Sequence, residues 1–380
     1  MEEERDTGLI KHKIIKYGGF ILLAAVVLSA GWYIYSHRNK DYSMYETTGT
    51  MEIDPGVPAK YAGFASGIIR YTTDGISYIR SGKEIWNKSI SIQNPMLDIC
   101  GDYIAIAEQK SNNISIFNKS GEQWDITMSY PVMSVEISGK GIVAAALDDG
   151  EANYIEIKDK NGDSIALGRT VVQGDGYPID ISLSNDGTKL AASYLGIANG
   201  TTQSNVVFYN YSAIGQNEVD RIVGGFNQYK TAIVPKVEFI SNNVAAAFGT
   251  NLFTIYSIKQ KPSVIREEEL THKIESIFYN KGNIGMVFQN ENSDKPYLIK
   301  TYSTSGEKVL SLETDYQYKG ILFADDKVMM YNENSCRLVS GDGITRFETQ
   351  FDVAVEEMFA ISESAYVIIT ADSILQIKLK

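Results

Sequence analysis

The chain has 380 residues, 44% of them hydrophobic and 11% aromatic, which is enough for a large buried core and too apolar for a disordered protein. Its 8 Pro and 32 Gly exclude collagen-like and proline-rich fibres. A net charge of −12 argues against a nucleic-acid partner, because a protein needs a basic face to neutralise phosphates.

The first element along the chain is an uncharged apolar stretch at residues 17–35. A helix of that length spans roughly 28 Å, close to the thickness of the hydrocarbon core of a bilayer. Trp32, Tyr33 and Tyr35 lie at its end, where amphipathic rings favour the membrane interface. The stretch therefore predicts a single transmembrane helix that attaches the protein to the membrane.

The charges on either side of this stretch predict its orientation. Basic residues are more frequent before it, at Arg5, Lys11, Lys13 and Lys16, than after it, at Arg38 and Lys40. Since the more basic end stays in the cytoplasm, we expect residues 1–16 to be a cytoplasmic tail and the bulk of the chain to be extracytoplasmic. The alternative is a signal peptide cleaved after Ala30, but Leu28 is large for that cut and the apolar core continues beyond it.

Residues 36–58 are polar and predict a stalk, after which the pattern changes to short β-branched and aromatic runs separated by turn residues. Runs such as GIIRYTTDGISYI and NVAAAFGTNLFTIYSI each indicate a strand, a turn and a strand. Helical periodicity is almost absent. Residues 59–380 are therefore expected to form an all-β domain of consecutive hairpins.

The hairpins recur at a spacing typical of propeller blades. Aligning the apolar start of each unit gives eight equivalent positions: Tyr61, Met96, Val132, Ile179, Val237, Ile274, Gly320 and Val355. We therefore expect an eight-bladed β-propeller, with seven blades as the alternative because the fourth unit is long enough to contain an insertion. The last unit has room for only three strands, and a stalk strand at about residues 48–53 would complete it and close the ring.

Local motifs agree with blades of known kinds. The segment PIDISLSNDGTKLAASY, with Asp186 and Gly187 at its turn, resembles the opening of a WD40-like blade. GKEIW at residues 82–86 and GEQW at residues 121–124 resemble the third-to-fourth strand turn of quinoprotein-like blades, where Gly takes a positive φ and Trp packs between blades.

An N-terminal anchor followed by a divergent propeller is similar to an uncharacterised membrane-anchored β-propeller family of Gram-positive bacteria, a domain of unknown function. The resemblance implies the fold and the anchor and no activity. Quinoprotein dehydrogenases carry adjacent cysteines beside their cofactor, and this sequence has none, so no cofactor is expected.

Few residues here support catalysis by the common routes. His272 is the only histidine outside the N-terminal region, so a Ser/His/Asp or Cys/His relay would have to include it. Cys100 and Cys336 are too few for a zinc site, and both are expected to be small core residues with free thiols. We expect no metal site.

The longest connections of the predicted propeller are those between second and third strands, among them an expected long loop at residues 196–205, and those between blades, and both kinds emerge on one face. Candidate binding residues on that face are the aromatic Tyr177, Phe226, Tyr229, Tyr316 and Tyr318, and the acidic Asp148, Asp149 and Asp175. The aromatics are suited to stacking on a sugar ring or anchoring a partner, and the acids to binding a cation or basic groups. The alternative for these aromatics is packing between blades, and for these acids it is turn formation. The acidic run at Glu267–Glu269 is expected to be solvated.

Two functions from different classes remain. The first is a non-catalytic extracytoplasmic scaffold or sensor that binds a protein or a cell-wall polymer through the long-loop face of the propeller. The second is an extracellular glycan hydrolase or lyase that uses paired carboxylates at the central pore. Convergent carboxylates of raised pKa would favour the enzyme.

Overall fold

The computed structural model describes residues 22, 24–29 and 40–380, apart from residues 171–173, 199, 230–231 and 292. Residue 22 and residues 24–29 are helical. Most of the predicted transmembrane segment at residues 17–35, together with the predicted cytoplasmic tail at residues 1–16, lies outside the described residues. Within the described part of the chain, no helix has both the length and the apolar character needed to cross a bilayer.

The remainder folds into eight antiparallel sheets of four strands each. Blade 1 comprises β2 (Lys60–Phe64), β3 (Gly67–Tyr71), β4 (Gly75–Arg80) and β5 (Lys83–Ser89), and blade 2 comprises β6 (Pro95–Cys100), β7 (Tyr103–Glu108), β8 (Asn113–Asn118) and β9 (Gln123–Thr127). Blade 3 comprises β10 (Val132–Ile137), β11 (Val143–Asp148), β12 (Asn153–Lys158) and β13 (Ser164–Thr170). Blade 4 comprises β14 (Tyr177–Leu183), β15 (Lys189–Ala198), β16 (Thr201–Asn210) and β17 (Ile222–Phe226). Two 3₁₀ turns, Ala213–Gly215 and Val219–Arg221, lie between β16 and β17.

Blades 5 to 8 follow in chain order. Blade 5 comprises β18 (Lys236–Ser241), β19 (Val244–Phe248), β20 (Leu252–Ser257) and β21 (Ser263–Glu269), and blade 6 comprises β22 (Ile274–Tyr279), β23 (Asn283–Gln289), β24 (Tyr297–Ser303) and β25 (Lys308–Thr314). Blade 7 comprises β26 (Gly320–Ala324), β27 (Lys327–Tyr331), β28 (Ser335–Val339) and β29 (Thr345–Gln350). Blade 8 comprises β30 (Glu357–Ser362), β31 (Ala365–Ile369), β32 (Ser373–Leu379) and β1 (Tyr45–Glu52).

The first strands of successive blades line the centre of the ring. Contacts join β6 to β10, β10 to β14, β14 to β18, β22 to β26, β26 to β30 and β30 to β2. The expected eight-bladed all-β propeller is confirmed, and the seven-bladed alternative is wrong. Seven of the eight positions aligned in the sequence lie in a first strand, and Val355 lies two residues before β30.

Blade 8 takes its outer strand from the N-terminal side of the domain. Strand β1 pairs antiparallel with β32, from Tyr45 opposite Leu379 to Glu52 opposite Ser373. The sequence placed this strand at about residues 48–53, and the structure begins it three residues earlier. Tyr45 packs edge-on against Phe351, with ring centroids 5.4 Å apart, so the closing strand joins the core as well as the sheet.

The core consists of apolar layers between neighbouring blades, and the two tryptophans after glycine turns contribute to it. Trp86 of blade 1 stacks on Phe117 of blade 2 at 5.8 Å, and its indole N–H donates to the Lys119 carbonyl at 3.2 Å. A Cβ on Gly121, whose φ is +79°, would lie 2.9 Å from the Trp86 ring. The turn glycine is therefore needed for both its conformation and the close approach of the neighbouring blade.

Two ends of the ring are distinguished by their turns. The tether face carries the turns between first and second strands, at residues 65–66, 101–102, 138–142, 184–188, 242–243, 280–282, 325–326 and 363–364, and those between third and fourth strands. The long-loop face carries the connections between blades and those between second and third strands, at residues 72–74, 109–112, 149–152, 199–200, 249–251, 290–296, 332–334 and 370–372.

The chain enters the ring at the tether face. The Tyr42 N–H donates to the Arg346 carbonyl at 2.8 Å, and the Arg346 guanidinium pairs with Asp41 at 3.2 Å. The Ser43 N–H donates to the Lys380 carbonyl at 2.7 Å. These contacts fix the point from which residues 1–39 extend, at the junction of blades 7 and 8.

Two segments interpreted from the sequence have different structures. Residues 196–205, expected to be a long loop, continue the β15–β16 hairpin, with Gly196 opposite Gln203 and Ala198 opposite Thr201. The Glu267–Glu269 run, expected to be solvated, includes Glu268, which contacts Arg266 at 2.6 Å and Lys300 at 3.0 Å. Burial opposes ionisation, but these donors outweigh it and lower the pKa of Glu268 to about 2.

Candidate functional site

A cavity of about 380 Å³ lies at the centre of the ring. The first strands of blades 2 to 6 form its wall, and the turns at residues 101, 185, 242 and 281 form its mouth. Those turns belong to the tether face. The cavity therefore opens on the side of the ring opposite to the long loops.

Four carboxylates belong to the first strands that form this wall: Asp98 of β6, Glu136 of β10, Asp180 of β14 and Glu238 of β18. Side chains alternate along a strand, so an acid flanked by buried apolar residues on an innermost strand points into the channel. In VMSVEI and KVEFIS both neighbours of the acid are buried apolar residues, and in PMLDIC and YPIDISL the acid also lies between two apolar residues, of which at least one is half-buried.

Three of these carboxylates join neighbouring blades. Asp98 Oδ2 accepts from the Ile137 N–H of the next blade at 2.6 Å. Glu136 Oε2 accepts from the Leu183 N–H at 3.4 Å, and Asp180 Oδ2 accepts from the Val237 N–H at 2.8 Å. Carboxylate-to-backbone hydrogen bonds thus join each blade to the next from blade 2 to blade 5.

Lys236 is the cation within this acidic group. Its Nζ lies 3.0 Å from Glu238 Oε2 and 3.4 Å from Asp180 Oδ2. Burial disfavours the ammonium, but the charges of Glu238, Glu136 and Asp180 outweigh it and raise the pKa of Lys236. Lys236 is thus the lysine paired directly with these acids among the described residues, while Lys281 lines the mouth of the same cavity.

The proximity of these acids to one another and the burial of the channel change their proton affinity. Burial raises the pKa of Asp98 and of Asp180 to about 6 in each case. Burial, with the charges of Asp98 and Glu238, raises the pKa of Glu136 well above its usual range. Part of this cluster is therefore protonated near neutral pH, which leaves fewer uncompensated charges in the channel.

The opposite wall of the channel is apolar. A second cavity of about 450 Å³ is lined by first-strand residues of blades 6, 7, 8 and 1, among them Ile277, Leu322 and Phe359. Tyr279 borders both cavities, and burial followed by the charge of Glu238 raises its pKa. The centre of the ring thus carries carboxyl groups on one side and mainly apolar side chains on the other.

The acidic cavity offers proton-exchanging groups but a poor nucleophile. Cys100 at its mouth donates to Asn185 Oδ1 at 3.2 Å, and burial raises the pKa of its thiol to about 11, so little thiolate forms at neutral pH. Within the residues that the structure describes, no three His, Cys, Asp or Glu side chains are grouped so as to hold a metal ion.

The raised pKa values predict that acidification stabilises the protein between pH 7.5 and 5. The folded state holds protons on Asp98, Glu136 and Asp180 more tightly than the unfolded chain does, so the free energy of unfolding rises as pH falls through this window. Below about pH 4 the trend reverses, because Glu268, whose pKa is lowered, then loses its ion pairs. Urea unfolding at a series of pH values measures both trends.

Glu136→Gln tests the source of this dependence. The amide oxygen still accepts from Leu183, but the titrating carboxyl group is removed, so we expect a variant at least as stable at pH 7.5 and a flatter profile between pH 5 and 7.5. Glu313→Gln on the exposed outer strand of blade 6 is the matched control and should leave the profile unchanged. An identical profile in both variants would contradict this account of the cluster.

The aromatic residues predicted as binding candidates occupy different environments. Tyr229 and Tyr316 are 2% and 8% exposed and pack in the core, so they present almost no surface to a partner. Phe226 is half-buried, with its ring 4.6 Å from that of Tyr256. Tyr177 is half-buried at the start of β14, and burial followed by the charge of Asp148 raises its pKa.

The acidic candidates lie in turns of the long-loop face. Asp148 accepts from the Gly150 N–H at 2.7 Å, and Asp149 accepts from the Ala152 N–H at 2.7 Å and from the Tyr154 hydroxyl at 2.9 Å. Asp175 is exposed just before β14. The first two thus form turns, and the predicted residues fall into separate groups on blades 3–4, 4–5 and 6–7 instead of one site.

Tyr318 borders an open depression on the long-loop face. The depression measures about 510 Å³ and is lined by Tyr318 and polar side chains of blades 6 and 7: Gln317, Lys319, Asn332, Glu333, Asn334, Ser335 and Gln350. The Tyr318 hydroxyl bonds to Ser276 at 2.8 Å, and the Tyr297 ring packs edge-on at 5.1 Å. Tyr318 therefore lines a concave surface.

Sequence reasoning missed Asp98, Glu136, Asp180, Lys236 and Glu238. A signal was present, since each acid interrupts an apolar first strand where a buried charge is costly. That pattern marks residues facing a channel or a blade junction.

Comparison with solved structures gives the same fold at low identity. Sqt1 of Saccharomyces cerevisiae is 11% identical, with a TM-score of 0.55, over 90% of this chain and 99% of that chain. Sqt1 of Chaetomium thermophilum bound to the N-terminus of the ribosomal protein L10 is 11% identical, with a TM-score of 0.51, over 89% and 97%. AztD of Citrobacter koseri is 10% identical, with a TM-score of 0.53, over 78% and 87%.

These structural similarities show only a shared fold, and no curated protein matches the sequence. The family assignment rests on the sequence itself. Residues 38–379, which include the whole ring with its closing strand, match one family. The chain belongs to the Family of unknown function (DUF5711).

Proposed function

We propose that the protein is a membrane-anchored extracytoplasmic scaffold that binds another protein through its long-loop face. One observation carries the proposal: the chain enters the ring at the tether face, where Tyr42 and Ser43 are bonded to Arg346 and Lys380. An anchor at residues 17–35 would then hold the tether face toward the bilayer. The long-loop face would point away from it, accessible to a partner.

Two features of the long-loop face support binding. The β15–β16 hairpin extends past its neighbours, since β14 begins opposite Leu195 and β17 ends opposite Val206. Ile197 near its tip is 81% exposed. On blades 6 and 7, the depression beside Tyr318 supplies a concave polar surface. A protruding apolar side chain and a polar concavity are suited to a folded or extended protein partner.

The fold is compatible with such a partner. The Chaetomium thermophilum Sqt1 structure contains that propeller bound to the N-terminus of another protein, and the present chain resembles it in fold. We therefore favour a protein over a cell-wall polymer.

Photo-crosslinking in cells tests the proposal. A photoreactive amino acid replaces Ile197 or the exposed Asn334, and the matched control replaces Asp102 on the tether face. We expect one discrete protein adduct from both long-loop positions and none from the control. Adducts with wall polymer alone, or the same adduct from all three positions, would contradict the proposed protein partner.

The proposed location is tested separately. With residues 1–16 in the cytoplasm and the propeller outside, an external protease should remove the propeller from intact cells, whereas a tag at the N-terminus should survive until the cells are lysed. A propeller resistant in intact cells and degraded after lysis would overturn the proposed orientation.

A carboxylate-dependent glycan hydrolase or lyase is the second candidate function, favoured by the central cavity. Asp98 and Asp180, with pKa values raised to about 6, are suited to general acid–base catalysis near neutral pH. Against it, each acid already accepts a backbone hydrogen bond from the next blade. Release of reducing ends from wall glycan by the purified protein, abolished in Asp98→Asn, would favour the enzyme.

A further inference from the structure

Blade 4 carries the longest connection between a third and a fourth strand in the described ring, at residues 211–221. The corresponding connections of blades 1, 2, 3, 5, 6 and 7 occupy residues 81–82, 119–122, 159–163, 258–262, 304–307 and 340–344. Like them, the blade 4 insertion lies on the tether face. Two large apolar residues project from it: Val219 is 81% exposed and Ile214 is 46% exposed.

The insertion is held in a defined conformation. Ser212 caps the first 3₁₀ turn by accepting from the Ile214 N–H at 3.3 Å, and Glu218 pairs with Lys261 of blade 5 at 3.2 Å. Asp220 and Arg221 have φ values of +51° and +64°, which are uncommon for residues with a side chain. The insertion is thus held by a cap, an ion pair and two residues of positive φ, with Val219 exposed between Glu218 and Asp220.

The short segment between the predicted anchor and the ring, at residues 35–40, is the tether, and its length limits how far this face lies from the anchor. Residue 35 ends the apolar stretch, and residue 40 already lies beside the ring. Five residue steps reach at most about 18 Å when fully extended. The rim of the ring at blades 7 and 8 would therefore be held within that distance of the lipid.

Blade 4 lies across the ring from blade 8, since each is four blades from the other in a ring of eight. A short tether at blade 8 leaves the ring free to tilt until the opposite rim meets the bilayer. The part of the opposite rim that projects from the tether face is the insertion with Val219 and Ile214. Lys261 beside it is paired with Glu218, so this pair adds no net charge to the insertion.

We propose that the blade 4 insertion contacts the surface of the bilayer that holds the anchor, with Val219 and Ile214 entering the headgroup and acyl boundary. This inference rests on the anchor in the proposed function. Two apolar side chains bind a free bilayer weakly, but the tether keeps them at high effective concentration and makes weak contact sufficient. The ring then lies with its tether face toward the lipid, which fixes the outward direction of the long-loop face.

Depth-dependent quenching in the full chain tests the contact. In a Cys100→Ser background, Val219→Cys carries an environment-sensitive dye, and Glu333→Cys on the long-loop face is the matched control, while the native Cys336 is fully buried. The protein is reconstituted into phosphatidylcholine and phosphatidylglycerol vesicles with brominated acyl chains. We expect about threefold stronger quenching at position 219 than at position 333.

The outcomes separate this inference from the proposed function. If the protein floats with the vesicles and both dyes are quenched equally, the bilayer contact is wrong and the anchor remains. If the protein does not float, both are wrong. Protection of position 219 by a second copy or another protein, with no brominated-lipid quenching, also overturns the inference. Placing Ile214→Ser in the labelled Val219→Cys protein should reduce the quenching without changing flotation.

Discussion

Replacing residues 45–52 with a Gly-Ser segment of equal length is expected to abolish cooperative folding of the ring. The seven residue pairs between β1 and β32 would be lost, as would the contact of Tyr45 with Phe351. At roughly 1 kcal/mol for each backbone hydrogen bond, the loss is on the order of 5–10 kcal/mol, comparable with the whole stability of a domain. The edge of β32 would also be left open to aggregation.

Chemical denaturation followed by tryptophan fluorescence, with size-exclusion chromatography for aggregation, measures this effect. Thr47→Ser with Thr48→Ser is the control, because both side chains are exposed on β1 and the strand itself is retained. A Gly-Ser variant that unfolded at the same denaturant concentration as the control would show that blade 8 is stable as a three-stranded sheet, and ring closure by β1 would not be what stabilises the fold.

Much of the fold could be predicted from the sequence because its local signals are turn residues at blade spacing. Gly82 and Gly121 have the positive φ values that their motifs predicted, and the following Trp86 packs against the next blade. The shortage of one strand in the last unit indicated closure from the N-terminal side. Because each of these signals depends on a few neighbouring residues, it can still be recognised when the sequences of the repeats have diverged.

The β15–β16 hairpin was misinterpreted for a local reason. The Asn199-Gly200 dipeptide is a typical two-residue hairpin turn, yet its polar surroundings were interpreted as a loop. The chain continues in paired strands up to Ala198 and from Thr201. Polar strands that extend beyond a sheet have no apolar alternation to reveal them, because neither face is buried.

The central carboxylates were not predicted because the register between units was wrong by up to two residues. Hydrogen bonds to the next blade show that Asp98, Glu136 and Ser182 are equivalent, since they accept from Ile137, Leu183 and Phe239 respectively. The aligned anchors Met96, Val132 and Ile179 lie two, four and three residues before them. Because side chains alternate, a slip of one residue assigns an acid to the wrong face of its strand.

The sequence did not separate the exposed from the buried surface candidates, for a different reason. Exposure of an aromatic residue beside a blade junction depends on how the connecting segment folds back, which no local pattern specifies. Tyr229 and Tyr318 both follow an outer strand by a few residues, yet the first is fully buried and the second borders a depression. Their difference is set by tertiary packing, since Tyr229 hydrogen-bonds to the buried Tyr256.

Lys236→Met is expected to destabilise the protein more than any other single substitution in the channel. Methionine retains the aliphatic part of the side chain but leaves Glu238 and Asp180 without their cation, at 3.0 and 3.4 Å in the native protein. Breaking an internal ion pair by removing one partner typically costs about 3–5 kcal/mol. The loss should be largest at pH 7.5 and smaller at pH 5, where Asp98 and Asp180, with pKa values raised to about 6, are mostly protonated.

Urea unfolding at the two pH values measures this loss, and Lys261→Met provides the control. Lys261 also pairs with a glutamate, Glu218, but its side chain is 73% exposed, so its removal should cost less than about 1 kcal/mol at either pH. Adding Glu238→Gln to Lys236→Met should restore part of the stability, because one of the unpaired charges is then gone.

Equal losses for Lys236→Met at pH 5 and pH 7.5 would mean that packing of the aliphatic part of the lysine side chain, and not its charge, stabilises the channel. The coupling between Lys236 and the acids, measured as the non-additivity of these variants, would then be close to zero, and the acidic wall would have to be stabilised by the backbone hydrogen bonds between blades alone.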